Sequence, residues 1–387
     1  MGSNIRARDV ASLFFLCRLV LLISLPLEGL RGFGDYLHFY RMSGMGLPFV
    51  DFWVEFPPVF PYLSWLLNIL AGGKEHVYDY LLALILTLTQ AGSLWLFLRL
   101  LQSIRPDHPS EARVWVYFAV TLILPYGWWY FDPLAVLASL LGMVWLLEGK
   151  DFRAGMAFAA GTLTKLFPVL ALPMIWRWLS WRRALLLTSL TLGITLLAYA
   201  VFIVISPDMT MASLRSQAAK GSWETVWALV DGNYHTGNFG PESERYDPSM
   251  ASIARGNPAR LPSWLTLLGF AGLGIWFFMK SRFNSPLSAL AFWGLTWSIF
   301  LLWSPGYSPQ WVLYLLPFIL LVLHVRKAIL FSLLLTLINI LEWPVILSRG
   351  YNWGLWLTIL VRTLLLVMLV AEFWNATKIS QKSLEMN

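Results

Sequence analysis

The residues best suited to chemistry gather in one polar stretch. It reads Gly34-Asp35-Tyr36-Leu37-His38-Phe39-Tyr40-Arg41 and, a little further on, Asp51-Phe52-Trp53-Val54-Glu55-Phe56-Pro57-Pro58. A carboxylate such as Asp35, Asp51 or Glu55, held at a membrane surface and partly stripped of water, can take a proton from an attacking hydroxyl. Acids are also common in exposed loops, where they do no more than stay solvated. Lys165 stands out for another reason, because it interrupts the apolar run Thr162-Leu163-Thr164-Lys165-Leu166-Phe167-Pro168. A charge there is costly unless paired or used; its ammonium can hold a phosphate as a point charge or snorkel to the interface. Asp132 sits between Tyr126-Gly127-Trp128-Trp129-Tyr130-Phe131 and Pro133. That spacing fits an N-cap followed by proline as well as it fits a site role. His235, in Asp231-Gly232-Asn233-Tyr234-His235, is either a ligand contact or part of a solvated turn. Glu342 and Arg362 fall in adjacent apolar runs and are expected to pair, while Arg18 either snorkels or faces the bundle. No zinc-ligand spacing, P-loop or dinucleotide fingerprint occurs, and the single cysteine, Cys17, permits no internal disulfide.

The elements that must position these residues are membrane spans. Of the 387 residues 58% are hydrophobic and 13% charged, against about 25% charged in soluble chains, and the mean hydropathy is +0.64. Crossing a bilayer takes about 20 apolar residues. The runs predict an all-α, polytopic bundle forming a single domain over 1–387, with spans near 10–30, 79–101, 114–131, 133–147, 184–206, 263–279, 286–303, 309–323, 328–347 and 353–373. The first lacks a small-residue cleavage site and reads as a retained signal-anchor. Between the fourth and fifth, the prolines of 154–178 break the chain into two short helices meeting near Lys165, which gives about twelve membrane segments.

The net charge of +7 is a topology signal, not a footprint for nucleic acid, because the basic residues flank apolar runs. Arg6 and Arg8, Arg99, Arg105 and Arg113, Lys150 and Arg153, Arg177, Arg182 and Arg183, Lys280 and Arg282, Arg326 and Lys327, and Lys378 and Lys382 all fall on one side. That side is expected to be cytoplasmic and to hold both termini of a multi-pass plasma-membrane protein. The polar segments 31–78 and 207–262 then lie outside, the first with an interfacial helix over Phe56–Leu70 anchored by Trp65, the second as a long loop.

The order of these pieces resembles the integral-membrane glycosyltransferases of the GT-C superfamily. Within it the chain is most similar to polyprenyl-phosphate-mannose-dependent α-mannosyltransferases of bacteria and archaea. The matching pieces are Gly34-Asp35-Tyr36, Glu55-Phe56-Pro57-Pro58, Phe131-Asp132, Ala160-Gly161-Thr162-Leu163-Thr164-Lys165-Leu166-Phe167-Pro168 and Ser304-Pro305-Gly306-Tyr307-Ser308-Pro309-Gln310. They spread over most of the chain up to about Pro317, with Phe56 where many relatives have tyrosine. The resemblance implies inverting transfer of a sugar, mannose by likeness, from a polyprenyl-phosphate donor to a glycan or glycolipid acceptor at the extracytoplasmic face. It implies Asp35 as the base, Glu55 as its assistant or an acceptor-orienting group, and Lys165 on the donor phosphate. Asp51, Asp132, Tyr36, His235 and Gln310 are the expected substrate contacts. With a lysine for the phosphate, a divalent metal is dispensable and no cofactor is expected. A membrane transporter or lipid flippase would share the spans, the broken helix and Lys165, but the sequence shows no internal repeat and predicts no second interrupted helix. A ligase or scaffold using the 207–262 loop is a third reading.

Overall fold

A computed structural model describes residues 6–26, 28–105, 111–237, 240–281, 283 and 285–378. Arg282 and Lys382 lie outside the described residues. Within them the protein is all-α: helices follow one another throughout, and extended pairing is limited to isolated bridges. Hydrocarbon offers a backbone no hydrogen-bond partner, so apolar runs of this length close their own bonds as helices.

Among the described residues six helices are long and apolar enough to cross a membrane: Glu75–Ile104, Trp181–Ile205, Ser263–Lys280, Pro286–Trp303, Val325–Arg349 and Asn352–Thr377. Two of them, Trp181–Ile205 and Ser263–Lys280, bury only 11% and 6% of their apolar windows against the protein. Their greasy faces therefore have lipid to meet. The other expected crossings are shorter or more polar. Ala7–Ser24 carries Arg8, Asp9 and Arg18, and the run 114–131 is divided, with one helix ending at Ile123 and a short Tyr126–Trp129 turn opening after Pro125. Arg18 faces the bundle, donating to the Gly127 carbonyl at 3.0 Å and lying over the Trp128 ring.

The interruption expected in 154–178 is present. The Asp151–Thr164 helix stops at Lys165, whose backbone is extended, and a 3-10 turn over Phe167–Ala171 leads into the Leu172–Trp178 helix. Pro168 and Pro173 occupy the first turns of these two elements, where no amide donor is needed. A second break, which the sequence reading did not anticipate, lies in 328–347. The Val325–Ile340 helix runs into a π-helical turn over Leu341–Ile346, with Trp343 non-helical and Pro344 supplying no N–H.

The two polar segments are more ordered than loops. Asp35 does not follow directly from the first helix: the short Glu28–Arg31 helix intervenes, and Asp35 opens a further helix, Tyr36–Ser43. Val59–Leu70 is helical, as expected for Phe56–Leu70. The segment 207–262 folds into the Pro207–Ala219 and Val226–Asp231 helices and two 3-10 turns. It is docked on 31–58: Val54 N donates to Ser213 Oγ at 2.9 Å, Trp53 N to the Arg245 carbonyl at 3.0 Å, and Ser206 Oγ to the Val50 carbonyl at 3.2 Å.

The basic residues mark one end of the bundle. Arg99 and Lys150 both reach Glu148, Arg183 pairs with Asp151, and Lys327 with Glu372. Arg105 and Arg113 donate to the carbonyls of Leu320, Leu321 and Val322, where the Val312–Val322 helix presents its negative pole. Asp151–Thr164 and Trp181–Ile205 start at this end and run away from it, and the polar segments close the other end.

Candidate active site

At that other end lies a cavity of about 1060 Å³. Its walls come from both polar segments, the Lys165 break, the Trp343 break and the turn before Gln310. One side is apolar and includes Leu166, Leu170, Tyr199, Leu214, Phe300 and Trp303. Leu166 and Leu214 are solvent- or lipid-exposed, and Tyr199 belongs to the scarcely buried Trp181–Ile205 helix. The cavity thus opens towards the surface that lipid must cover.

Asp35 is held on the wall by its neighbours. Gly34 lies so close against Trp129 that a Cβ would overlap both its ring and backbone, and Asp35 N donates to the Trp129 carbonyl at 3.3 Å. The Asp35 carboxylate does not cap its own helix and faces the cavity. Burial pushes its pKa up to about 6, against the pull of His38, Lys165 and Lys220 and with a push from Glu55. A base poised near neutrality results.

Glu55 is a different kind of carboxylate. Arg245 engages both its oxygens, Nη2 reaching Oε1 at 2.9 Å, and His38 Nε2 lies 3.5 Å from Oε1. Burial alone would raise its pKa, but Arg245 and His38 hold it well below the usual carboxylate range. His38 Nδ1 meets Glu242 at 3.0 Å; Glu55 and Glu242 outweigh the effect of burial and raise the histidine above its ordinary value. Glu55 is therefore an ionised partner of Arg245 and His38 on the cavity wall.

Lys165 lines the cavity with its Nζ 2.9 Å from Asp132 Oδ2. Asp132 is fully buried, stands within the Asp132–Leu147 helix and gives that helix no side-chain cap. The N-cap reading is replaced by an ion pair that aims the lysine. Lys220, on the docked segment, also lines the cavity, with its ammonium 4.0 Å from the Trp223 ring centroid. Burial and the nearby Lys165 lower it to about 8, against Glu55 and Asp35.

Of the remaining expected contacts, Gln310 lines the cavity. Asp51 does not: it is exposed and accepts from Leu47 N at 2.7 Å, bracing the turn at Gly46, whose φ of +118° suits glycine. Tyr36 is fully buried in the core rather than on the cavity wall. His235 turns its Nδ1 to the Thr236 carbonyl at 2.7 Å, leaving Thr236 and Gly237 to line the space. None of these three lies on the cavity wall. Among the described residues no three His, Cys, Asp or Glu side chains group as a metal site.

The sequence reading missed His38, Lys220, Glu224, Glu242 and Arg245. A signal existed for His38, which stands three residues after Asp35 and so shares its helix face. The others depend on how 207–262 folds back, which no spacing displays. No family model and no curated protein matches the chain.

Proposed function

We propose that the protein transfers a sugar, by resemblance mannose, from a polyprenyl-phosphate carrier to a hydroxyl of a glycan or glycolipid acceptor, with inversion. The observation that carries this reading is one cavity holding a desolvated carboxylate and two lysines beside an apolar side that leads to lipid. In this reading the prenyl chain lies along Leu166, Leu170 and Phe300 while the phosphate meets Lys165 and Lys220. Asp35 takes the proton of the acceptor hydroxyl, whose oxygen forms a bond to the anomeric carbon. The bond from that carbon to the phosphate oxygen breaks, and its electron pair leaves with the phosphate, stabilised by the two ammonium groups. Asp35 then returns its proton to water. The carrier needs no covalent help, because a charge-stabilised phosphate is already a good leaving group.

The proposed orientation puts the basic end in the cytoplasm and the cavity outside, in a plasma-membrane protein of about twelve segments once the shorter apolar helices are counted. The positions of Arg99, Lys150, Arg183 and Lys327 at one end support it. The second broken helix, at Trp343, is the one observation that favours a transporter or flippase.

Substitution of the lysines tests the donor site. Lys220→Met and Lys165→Met are each expected to weaken binding of a short-chain polyprenyl phosphate about tenfold, the cost of one charge-assisted contact, while acceptor binding stays unchanged. Lys165→Met also strands Asp132, so its melting temperature falls. Unchanged lipid affinity in both variants removes the phosphate role.

A further inference from the structure

The deep wall of the cavity carries a residue that the transfer chemistry above does not use. Glu224 lines the space yet is only 2% exposed. Its φ is +52°, a left-handed conformation that is costly away from glycine and that persists only where the surroundings enforce it. The enforcement is visible on both flanks. Trp223 N donates to the Pro305 carbonyl at 3.2 Å, Tyr307 N to the Trp223 carbonyl at 3.0 Å, and Thr225 Oγ1 to the Pro305 carbonyl at 2.8 Å. Arg362 donates to the Glu224 carbonyl and, through its other nitrogen, to Glu342.

The side chain is built in with equal care. Burial raises its pKa well above the ordinary value, and the charge and hydrogen bond of Glu342 raise it further, against Arg362 and Lys220. Glu224 is thereby held towards its protonated form. Glu224 Oε2 and Glu342 Oε2 are both buried and accept from no other donor among the described residues, as expected where a carboxyl proton bridges two acids.

We propose that Glu224 is a sugar-binding residue, its cavity-lining carboxyl engaging hydroxyls of a pyranose ring seated among Trp223, Trp311 and Trp343. All three indoles line the same cavity. Sugars present apolar ring faces that suit aromatic walls and hydroxyls that both donate and accept, which matches a carboxyl set among three indoles. The strained backbone and the Arg362 clamp fix the carboxyl before the ligand arrives, so little ordering remains on binding. Tyr130, also on the wall, lies within electrostatic range of both Asp35 and Glu224, which places the sugar subsite and the base in one chamber. This inference rests on the reading that the cavity takes a glycolipid.

The test uses the full chain in phosphatidylcholine nanodiscs, titrated by tryptophan fluorescence. One series uses dodecyl phosphate; the other uses octyl glycosides of mannose, glucose and galactose. The wild type is expected to bind dodecyl phosphate and at least one glycoside. Glu224→Gln, which preserves shape, should weaken that glycoside about tenfold and leave dodecyl phosphate and the melting temperature unchanged. Glu224→Asp, which keeps the acid and withdraws the oxygen, should do the same. Equal glycoside affinity in wild type and variants overturns the proposal, and so does parallel loss of both ligands. Dodecyl phosphate bound with no glycoside bound overturns the sugar subsite alone. Binding of neither contradicts the function proposed for the cavity itself.

Discussion

Asp35→Asn is expected to lower sugar transfer by about 10²–10⁴-fold, the range a positioned general base contributes, while donor lipid still binds. The variant removes the proton acceptor and keeps the shape between Gly34 and the Tyr36–Ser43 helix. The protein should not be less stable for it. A carboxyl whose folded pKa is raised holds its proton more tightly when folded, so the ionised form already weakens the fold at neutral pH and the neutral amide does not. The wild-type profile carries the matching signature. With Asp35 near 6, kcat/KM should rise with pH through about 6 and level above it, and the residual activity of Asp35→Asn should lack that limb. Wild-type rates in the variant, or an unshifted limb, would assign the base elsewhere.

Arg245→Met is expected to be the most damaging single change to the fold. Arg245 and Glu55 are 1% and 6% exposed, and they join the two polar segments across the roof of the cavity. Removing one partner of a buried pair leaves an uncompensated charge, a loss of about 3–5 kcal/mol. Limited trypsin digestion should then cut the 207–262 segment, at Arg255 or Arg260, under conditions where the wild type is resistant. The double variant Glu55→Leu with Arg245→Met should recover much of that resistance, because an apolar pair of similar volume strands no charge. If Arg245→Met digests like the wild type, the two segments are held by something other than this pair.

The membrane architecture was legible because lipid imposes long apolar runs, and Pro286–Trp303 coincides with its sequence-based boundaries. The break at Lys165 was legible because two prolines, Pro168 and Pro173, follow it closely. The break at Trp343 was not, since a lone Pro344 in an apolar run reads equally as a tolerated kink. The pairing of Glu342 with Arg362 followed from the cost of unpaired charges in lipid, and the structure contains it. Asp132 and Lys165 were each singled out, yet their contact, across 33 residues, needs the hairpin folded. Asp51 shows the opposite failure. Its proximity to Glu55 in sequence suggested a shared site, but the turn at Gly46 points it to solvent. Arg245 and Lys220 looked like ordinary loop charges, because only the docking of 207–262 onto 31–58 brings Arg245 to Glu55 and Lys220 within reach of Asp35.

The most direct test of the account is to incubate the purified protein in liposomes with radiolabelled polyprenyl-phosphate mannose and a glycolipid acceptor, and to follow both the label and its leaflet. Label on the acceptor in an inverted linkage, absent with Asp35→Asn, is the expected result. Movement of the intact carrier between leaflets with no glycosylated product would contradict it and make the protein a transporter.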